Sequence, residues 1–518
     1  MKKSLLSGLS ALAFVAAVSC TSSTPEIRWT EGAAGEDGRS IHKIVIENAR
    51  MLPEDWTIWF SQMQIGADVA EGSDATIEVY NGSLHRIRPV AGSGKDSLVI
   101  LYRAAPLKRR SWAPEGFVLQ DMESPSITGT ALKAEYRFLP LEPDGKIWQE
   151  YNASLEVRDV KPYETIPAVK KIEQEPFALT SGAKPRGWYA ISIDGDGKTS
   201  FISEDEEGSI YAEATLSQLR STGEPLHDIY IEDWPDLQYR GFMLDVARNF
   251  TSADNVKRLI DVLARYKVNY LHLHLADDEG WRIAVKDIPE LTSVGAFHCL
   301  DPCKGLMPSY DGCADPSSPA LSNGFFTVED YIGIIQHAWR HRISVIPEVD
   351  TPGHSRAVIY AMNAYEKRTG DSSMRLQDPA DTSRYYGAQG YTDNVMSVEL
   401  ESVYTFIGRI FDEFIALHKK AGVPLEAMNI GGDEVPRGAW NLHPMFLGRV
   451  ADIAAEKGVK IAGWQEVALC ADPRTAEKLR KVMFANYVWN TSGNDSLPYD
   501  IASKGYPTVL SNVDYTYA

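Results

Sequence analysis

At 518 residues, with 44% hydrophobic and 24% charged residues, the chain has the length of two to four domains and the composition of a soluble globular protein. Its formal net charge of -19 repels phosphate backbones and anionic headgroups, which argues against nucleic acid as a partner. The 12 Trp and 24 Tyr permit sugar binding without requiring it, because most such rings simply fill cores.

Residues 1–20 read as an export signal. Lys2 and Lys3 precede an apolar run from Leu5 to Val18 that is too short to span a bilayer, and small residues surround Ser19. Ala17-Val18-Ser19-Cys20 resembles a bacterial lipoprotein cleavage site with Cys20 as the lipid-bearing residue, although the usual Leu is replaced by Ala17. The expectation is an exported lipoprotein, periplasmic or associated with the outer membrane, touching lipid only through that anchor; plain secretion is the alternative. Of the other cysteines, Cys299, Cys303 and Cys313 share one irregular stretch and Cys470 stands apart. Export favours a disulfide with one thiol left over, whereas spacings of four and ten match no common zinc pattern.

After a polar linker from Thr21 to Pro25, residues 26–161 alternate short apolar runs with turn residues. Ile44 to Ile46, Trp56 to Phe60, Ala75 to Tyr80 and Leu98 to Tyr102 read as strands of a β-sandwich. Trp56, Trp59 and Phe60 follow strand periodicity, so a core role is preferred to a glycan-facing one. Residues 162–235 read as a small α+β module: a strand over Trp188 to Ile193, a hairpin turn at Asp194 to Gly197, a helix over Ser209 to Leu219 and a strand near Ile229.

From 236 to 518 the rhythm becomes strand, loop, helix. Seven buried strands are predicted: Gly241 to Val246, Tyr270 to Leu275, Ile343 to Pro347, Met428 to Ile430, Lys460 to Gly463, Val482 to Tyr487 and Thr508 to Ser511. Thr327 is placed to cap one intervening helix. Polar residues collect where these strands end: Arg248, Asp277 and Asp278, then Glu348, Asp350 and His354, then Asp433 and Glu434, then Trp464 and Trp489. A doubly wound sheet gathers its site at one switch point, so six contributing strand ends favour a (β/α)8 barrel. The centre is Gly431-Gly432-Asp433-Glu434. Adjacent carboxylates repel, which tends to leave one protonated as a general acid, although a bare Asp-Glu pair more often marks a solvated turn.

Four stretches in order, Arg240 to Arg248, Leu271 to Arg282, Pro347 to His354 and Gly431 to Glu434, resemble the signatures of β-N-acetylhexosaminidases of glycoside hydrolase family 20. Upstream, Asp55 to Gln62 and Tyr80 to His85 are similar to the sandwich of chitobiase-type members. The resemblance implies removal of terminal β-linked N-acetylglucosamine or N-acetylgalactosamine from glycans by a retaining, substrate-assisted route, in which the sugar's own acetamido carbonyl attacks and forms an oxazolinium. It implies Glu434 as acid and base and Asp433 as holder of the acetamido N–H. Arg248 resembles the ligand of the outer hydroxyls, with a salt bridge to Asp245 as the plain alternative. Asp277 is either a second sugar contact or a support for Arg248 or Glu434. Asp350 and His354 are expected to share a proton and tune Glu434, or merely to brace their loop; His272 and His274 are expected to be packed strand residues. Trp464 and Trp489 resemble the aromatic walls of the acetamido pocket, and Tyr517 the tyrosine on its carbonyl. No metal or cofactor is implied.

In the family, an Asp or Asn follows that tyrosine, then a last strand and helix bearing another Trp and an acid. This sequence stops at Ala518, so the barrel is expected to lack its eighth strand and to have an open seam. The sequence is read as a fragment of a longer protein rather than an inactive remnant. Two rivals stand beside the enzyme reading: a catalytically inactive glycan-binding protein on this fold, and a barrel glycosidase of another family with its own nucleophile.

Overall fold

The computed structural model describes residues 24–62, 68–80, 84–90, 94–107, 113–120, 129–140, 163–298, 306, 323–381, 391–491 and 493–516. Cys20, Cys299, Cys303, Cys313 and Tyr517 lie outside these residues; Cys470 is a free thiol. Among the described residues no helix is long and apolar enough to cross a membrane.

Two five-stranded sheets face each other at the N-terminal end. One holds Ala134–Arg137, Glu26–Thr30, Ser40–Glu47, Leu98–Ala104 and Asp68–Val69; the other holds Ala75–Tyr80, Leu84–Pro89, Ile58–Ser61, Glu115–Gln120 and Gly129–Ala131. Ser40–Glu47 alternates buried and outward residues, as a strand with one face on a core must. Trp56, Trp59 and Phe60 are all buried, which favours their core reading. Two buried indoles find partners: Trp59 Nε1 donates to Gln120 Oε1 at 2.9 Å, and Trp29 Nε1 to the Tyr102 hydroxyl at 2.8 Å.

A four-stranded antiparallel sheet follows, in the order Lys171–Glu173, Ile229–Asp233, Tyr189–Ile193, Thr199–Ser203, and the helix Glu206–Ser221 packs on it. The helix starts three residues before the predicted Ser209 because Asp205 caps it, accepting from the Gly208 N–H at 2.7 Å. This module is tied to the next by a buried ion pair. Lys267 Nζ donates to Asp233 Oδ2 and to the Tyr189 hydroxyl, both at 2.9 Å, and that hydroxyl donates to Asp233 at 2.8 Å.

The third sheet has seven parallel strands in strict chain order: Gly241–Asp245, Tyr270–Ala276, Ser344–Thr351, Met428–Gly431, Ile461–Trp464, Met483–Val488 and Thr508–Leu510. Every residue of the second and third strands is buried, as expected where helices cover one face of a parallel sheet and side chains fill the other. Thr327 closes a full capping box with Asp330 on helix Val328–Arg340. The first and seventh strands are the sheet's edges. Between them lies a cavity of about 480 Å³, lined by Tyr239, Met243, Tyr487 and Val509. Phe242 and Leu510 on those edges are exposed. The arrangement is an open, incomplete (β/α) barrel.

Removing one partner of a buried pair strands the other charge. Lys267→Ala should therefore cost about 3–5 kcal/mol and lower the thermal midpoint, whereas replacing the exposed Lys198 should leave it unchanged.

Candidate active site

Asp277 lies at the end of the second barrel strand, fully buried, and three cationic side chains converge on it. Arg248 Nη2 donates to its Oδ2 at 2.8 Å, His274 Nε2 to the same oxygen at 2.8 Å, and His354 Nδ1 to Oδ1 at 3.2 Å. Burial alone would raise its pKa, but the charges of Arg248 and His354 outweigh that and hold it well below the usual carboxylate range. Arg248 is also held by Asp245, which accepts from Nη1 at 2.7 Å and from the Arg248 N–H at 3.0 Å. Both sequence readings of Arg248 thus share one geometry: the salt bridge to Asp245 is present, and with Asp277 it orients a guanidinium that remains 19% exposed.

His354 joins Asp277 to the carboxylate pair. Its Nε2 lies 3.2 Å from Glu434 Oε2, and its Nδ1 lies 3.2 Å from Asp278 Oδ2 as well as from Asp277. Burial would depress the imidazole, yet Asp277, Asp278 and Glu434 raise it well above the ordinary histidine value, so it is an imidazolium at neutral pH. Asp278 is fixed in turn by the Arg356 N–H at 3.1 Å and Asn394 Nδ2 at 2.8 Å. His354 (φ 49°) and Glu434 (φ 45°) both occupy the left-handed region, at a cost of about 1–2 kcal/mol each, which the surrounding bonds offset.

Asp350 lies near His354 and Asp433, and its hydrogen bond is to the turn that carries Asp433. The turn after Gly431 brings the Gly432 N–H onto Asp350 Oδ1 at 3.1 Å and sets the carboxyls of Asp350 and Asp433 near each other. Burial, followed by the charge of Asp433, pushes Asp350 well above its ordinary value, and burial likewise raises Asp433. Two neighbouring buried carboxyls resist ionising together, which gives both shifts the same direction. The lead cause at Asp433 is burial and not repulsion by Glu434. Gly431 makes the approach possible: a Cβ there would sit 1.7 Å from Asp350 Oδ1, at a φ of +70°.

A second branch runs from Asp277 to Trp464. His274 bonds Glu348 through its other nitrogen, His272 Nε2 lies 2.8 Å from the same carboxylate, and Trp464 Nε1 donates to Glu348 Oε1 at 2.9 Å. His272 and His274 are thus packed strand residues, and both hydrogen-bond Glu348, whose carboxyl they hold below its ordinary range against the effect of burial. Trp489 is half-buried beyond the sixth strand; Gln465 accepts its backbone N–H at 3.1 Å and Glu466 accepts its indole N–H at 3.3 Å. The strand-end reading lacked Asn394, Gln465 and Glu466. The run Trp464-Gln465-Glu466, polar residues directly behind a strand-end Trp, was the available signal for two of them.

Asp277, Asp278 and His354 bring potential ligand atoms within 4.8 Å of one another. Their atoms are already engaged by Arg248, His274, Arg356, Asn394 and Glu434, a donor set suited to ion pairing more than to a metal cage.

Two outcomes follow. Asp277→Asn crowds three cations without their counter-charge and should cost about 3–5 kcal/mol at neutral pH. The depressed Asp277 contributes above the ordinary carboxylate pKa and loses its contribution as pH falls through its folded value. The raised His274 and His354 contribute fully below the ordinary histidine value and lose their contribution as pH rises through their folded values. Melting curves of wild type and variant should therefore lie furthest apart between those limits and converge on either side. Gly431→Ala should cost at least about 2 kcal/mol, because Asp350 has to leave the turn.

The model of the glycosyl hydrolase family 20 catalytic domain matches residues 237–518. Beta-hexosaminidase B of Pseudoalteromonas piscicida is 36% identical over 362 residues, 64% of this chain and 45% of that protein. N,N'-diacetylchitobiase of Vibrio harveyi is 32% identical over 405 residues, 66% and 45% of the two chains. The chain spans about half the length of the curated relatives it matches. In fold it is similar to the crystal structure of a GH20 exo beta-N-acetylglucosaminidase from Vibrio harveyi in complex with N-acetylglucosamine, with a TM-score of 0.71 over 95% of this chain and 82% of that one at 22% identity. The matched segment takes in every strand of the parallel sheet and every side chain of the charged network, and on that match the chain belongs to glycosyl hydrolase family 20.

Proposed function

We propose that this protein removes terminal, non-reducing β-linked N-acetylglucosamine or N-acetylgalactosamine from glycans, with retention and without a nucleophilic carboxylate of its own. The observation that carries this reading is the pairing of Glu434 with the His354 imidazolium next to an Asp433 buried against Asp350. The two adjacent carboxyls have different surroundings, which suits two different tasks.

Glu434 Oε2 faces His354, leaving Oε1 for proton transfer. Its proton passes to the glycosidic oxygen as the acetamido carbonyl oxygen bonds to the anomeric carbon and the leaving alcohol departs. Asp433 accepts the acetamido N–H and offsets the positive charge that develops in the oxazolinium. Glu434, now a carboxylate, takes a proton from water as that water attacks the anomeric carbon and opens the ring, so two inversions give retention. Arg248, braced by Asp245 and Asp277, offers donors to the outer hydroxyls, and Trp464 and Trp489 flank the acetamido methyl. Tyr517 is assigned to the acetamido carbonyl on the motif alone. The partners are N-acetylhexosamine-bearing oligosaccharides or glycoconjugates, and export with a lipid anchor at Cys20 would bring the enzyme to them outside the cytoplasm.

Glu434→Gln should lower kcat/KM by about 10³ on an alkyl N-acetylglucosaminide and by far less on a nitrophenyl one, whose leaving group needs no proton. Asp433→Ala should cost about 10²–10³ on both. Absence of turnover by the wild-type protein, with N-acetylglucosamine still bound, would replace this reading by a glycan-binding one.

A further inference from the structure

Trp464, Gln465 and Glu466 leave the fifth barrel strand in succession. Gln465 Oε1 accepts the backbone N–H groups of Trp489 at 3.1 Å and Asn490 at 3.0 Å, and its Nε2 donates to the Asn490 carbonyl at 2.8 Å. Three bonds thus fix where the main chain of Trp489 stands. They leave its ring free to turn about the side-chain torsions. The bond that addresses the ring is the one from the indole Nε1 to Glu466 Oε2, at 3.3 Å.

Glu466 is an unusual choice of acceptor. It is largely enclosed, in the first turn of helix Gln465–Cys470, and it faces the catalytic pair. Burial, then the charge of Asp433 and more weakly that of Glu434, push its carboxyl up to about 8, against the opposing effects of its own N–H and the Trp489 indole. The other titratable group beside it, Cys470 on the same helix, has a thiol pushed up to about 12 by burial and so carries no charge.

We infer that Glu466 is a positioning residue of this site, whose carboxyl holds the Trp489 indole in the orientation of a pocket wall. Ionised, the group would be a further buried anion beside Asp433, a state that drives it toward water and withdraws the ring's partner. Glu466 thereby makes sugar affinity depend on pH on the alkaline side. The kinetic consequence rests on the glycosidase reading above; the contact and its titration do not.

The test uses the full chain with 15N-labelled tryptophan, the Trp489 indole resonance being assigned by its loss in Trp489→Phe. In the wild type that resonance should shift with a midpoint near pH 8, and in Glu466→Gln, which keeps an acceptor but cannot ionise, it should not. On a nitrophenyl N-acetylglucosaminide at pH 7, Glu466→Gln should stay within about twofold of wild type. Glu466→Leu should raise KM about fivefold, the size of one lost hydrogen bond, with kcat little changed. Above pH 8 the wild-type KM should climb while that of Glu466→Gln stays level. An indole resonance indifferent to pH between 7 and 9, or a Glu466→Leu variant with wild-type KM, overturns the inference. Absence of turnover by every form, with the indole titration intact, would count against the glycosidase reading alone.

Discussion

The site depends on a single buried carboxylate, Asp277, and on the three cations that meet it. An unpaired carboxylate at that depth would take up a proton; three donors within hydrogen-bond reach keep it ionised. Its charge is then distributed along three lines: to Arg248, to His354 and the carboxyl of Glu434, and through His274 to Glu348 and the Trp464 indole. Each line ends at a residue assigned a different task on the sugar. Because the same atoms serve all three, the tasks are not independent, and damage to one should be felt by the others.

The fold supplies this convergence through register. Parallel strands in chain order put His274 level with Asp245 on one side and Glu348 on the other, and Glu348 level with Asn429. Side chains on the inner face of consecutive strands therefore lie side by side, and the loops beyond them carry Arg248, His354, Glu434 and Trp489 over the same end of the sheet. Gly431 and Gly432, both at positive φ, let the fourth strand turn tightly enough for Asp433 to reach Asp350.

Much of this could be read from residue pattern. All seven barrel strands, the Thr327 cap and the burial of Trp56, Trp59 and Phe60 follow from periodicity and capping, which are local properties. What resisted reading was partnership. Asp350 and His354 are four residues apart and seemed a natural pair, but strand pleat and the Pro352-Gly353 turn aim them at different neighbours, Asp433 for the one and Asp277, Asp278 and Glu434 for the other. Those partners are about 80 positions distant in the chain, and only tertiary register names them. Glu466 was missed for the same reason: its importance comes from Trp489 and Asp433, on two other strand ends.

The chemical claim at the centre is that the sugar, and not the protein, supplies the nucleophile, leaving Asp433 to hold and Glu434 to move protons. The most direct measurement is the rate on a series of aryl glycosides whose 2-acetamido methyl carries zero, one, two or three fluorines. Each fluorine weakens the carbonyl oxygen as a nucleophile while leaving the aryl leaving group unchanged. The account predicts a kcat/KM that falls steeply and regularly along the series, and a rate indifferent to fluorination would contradict it.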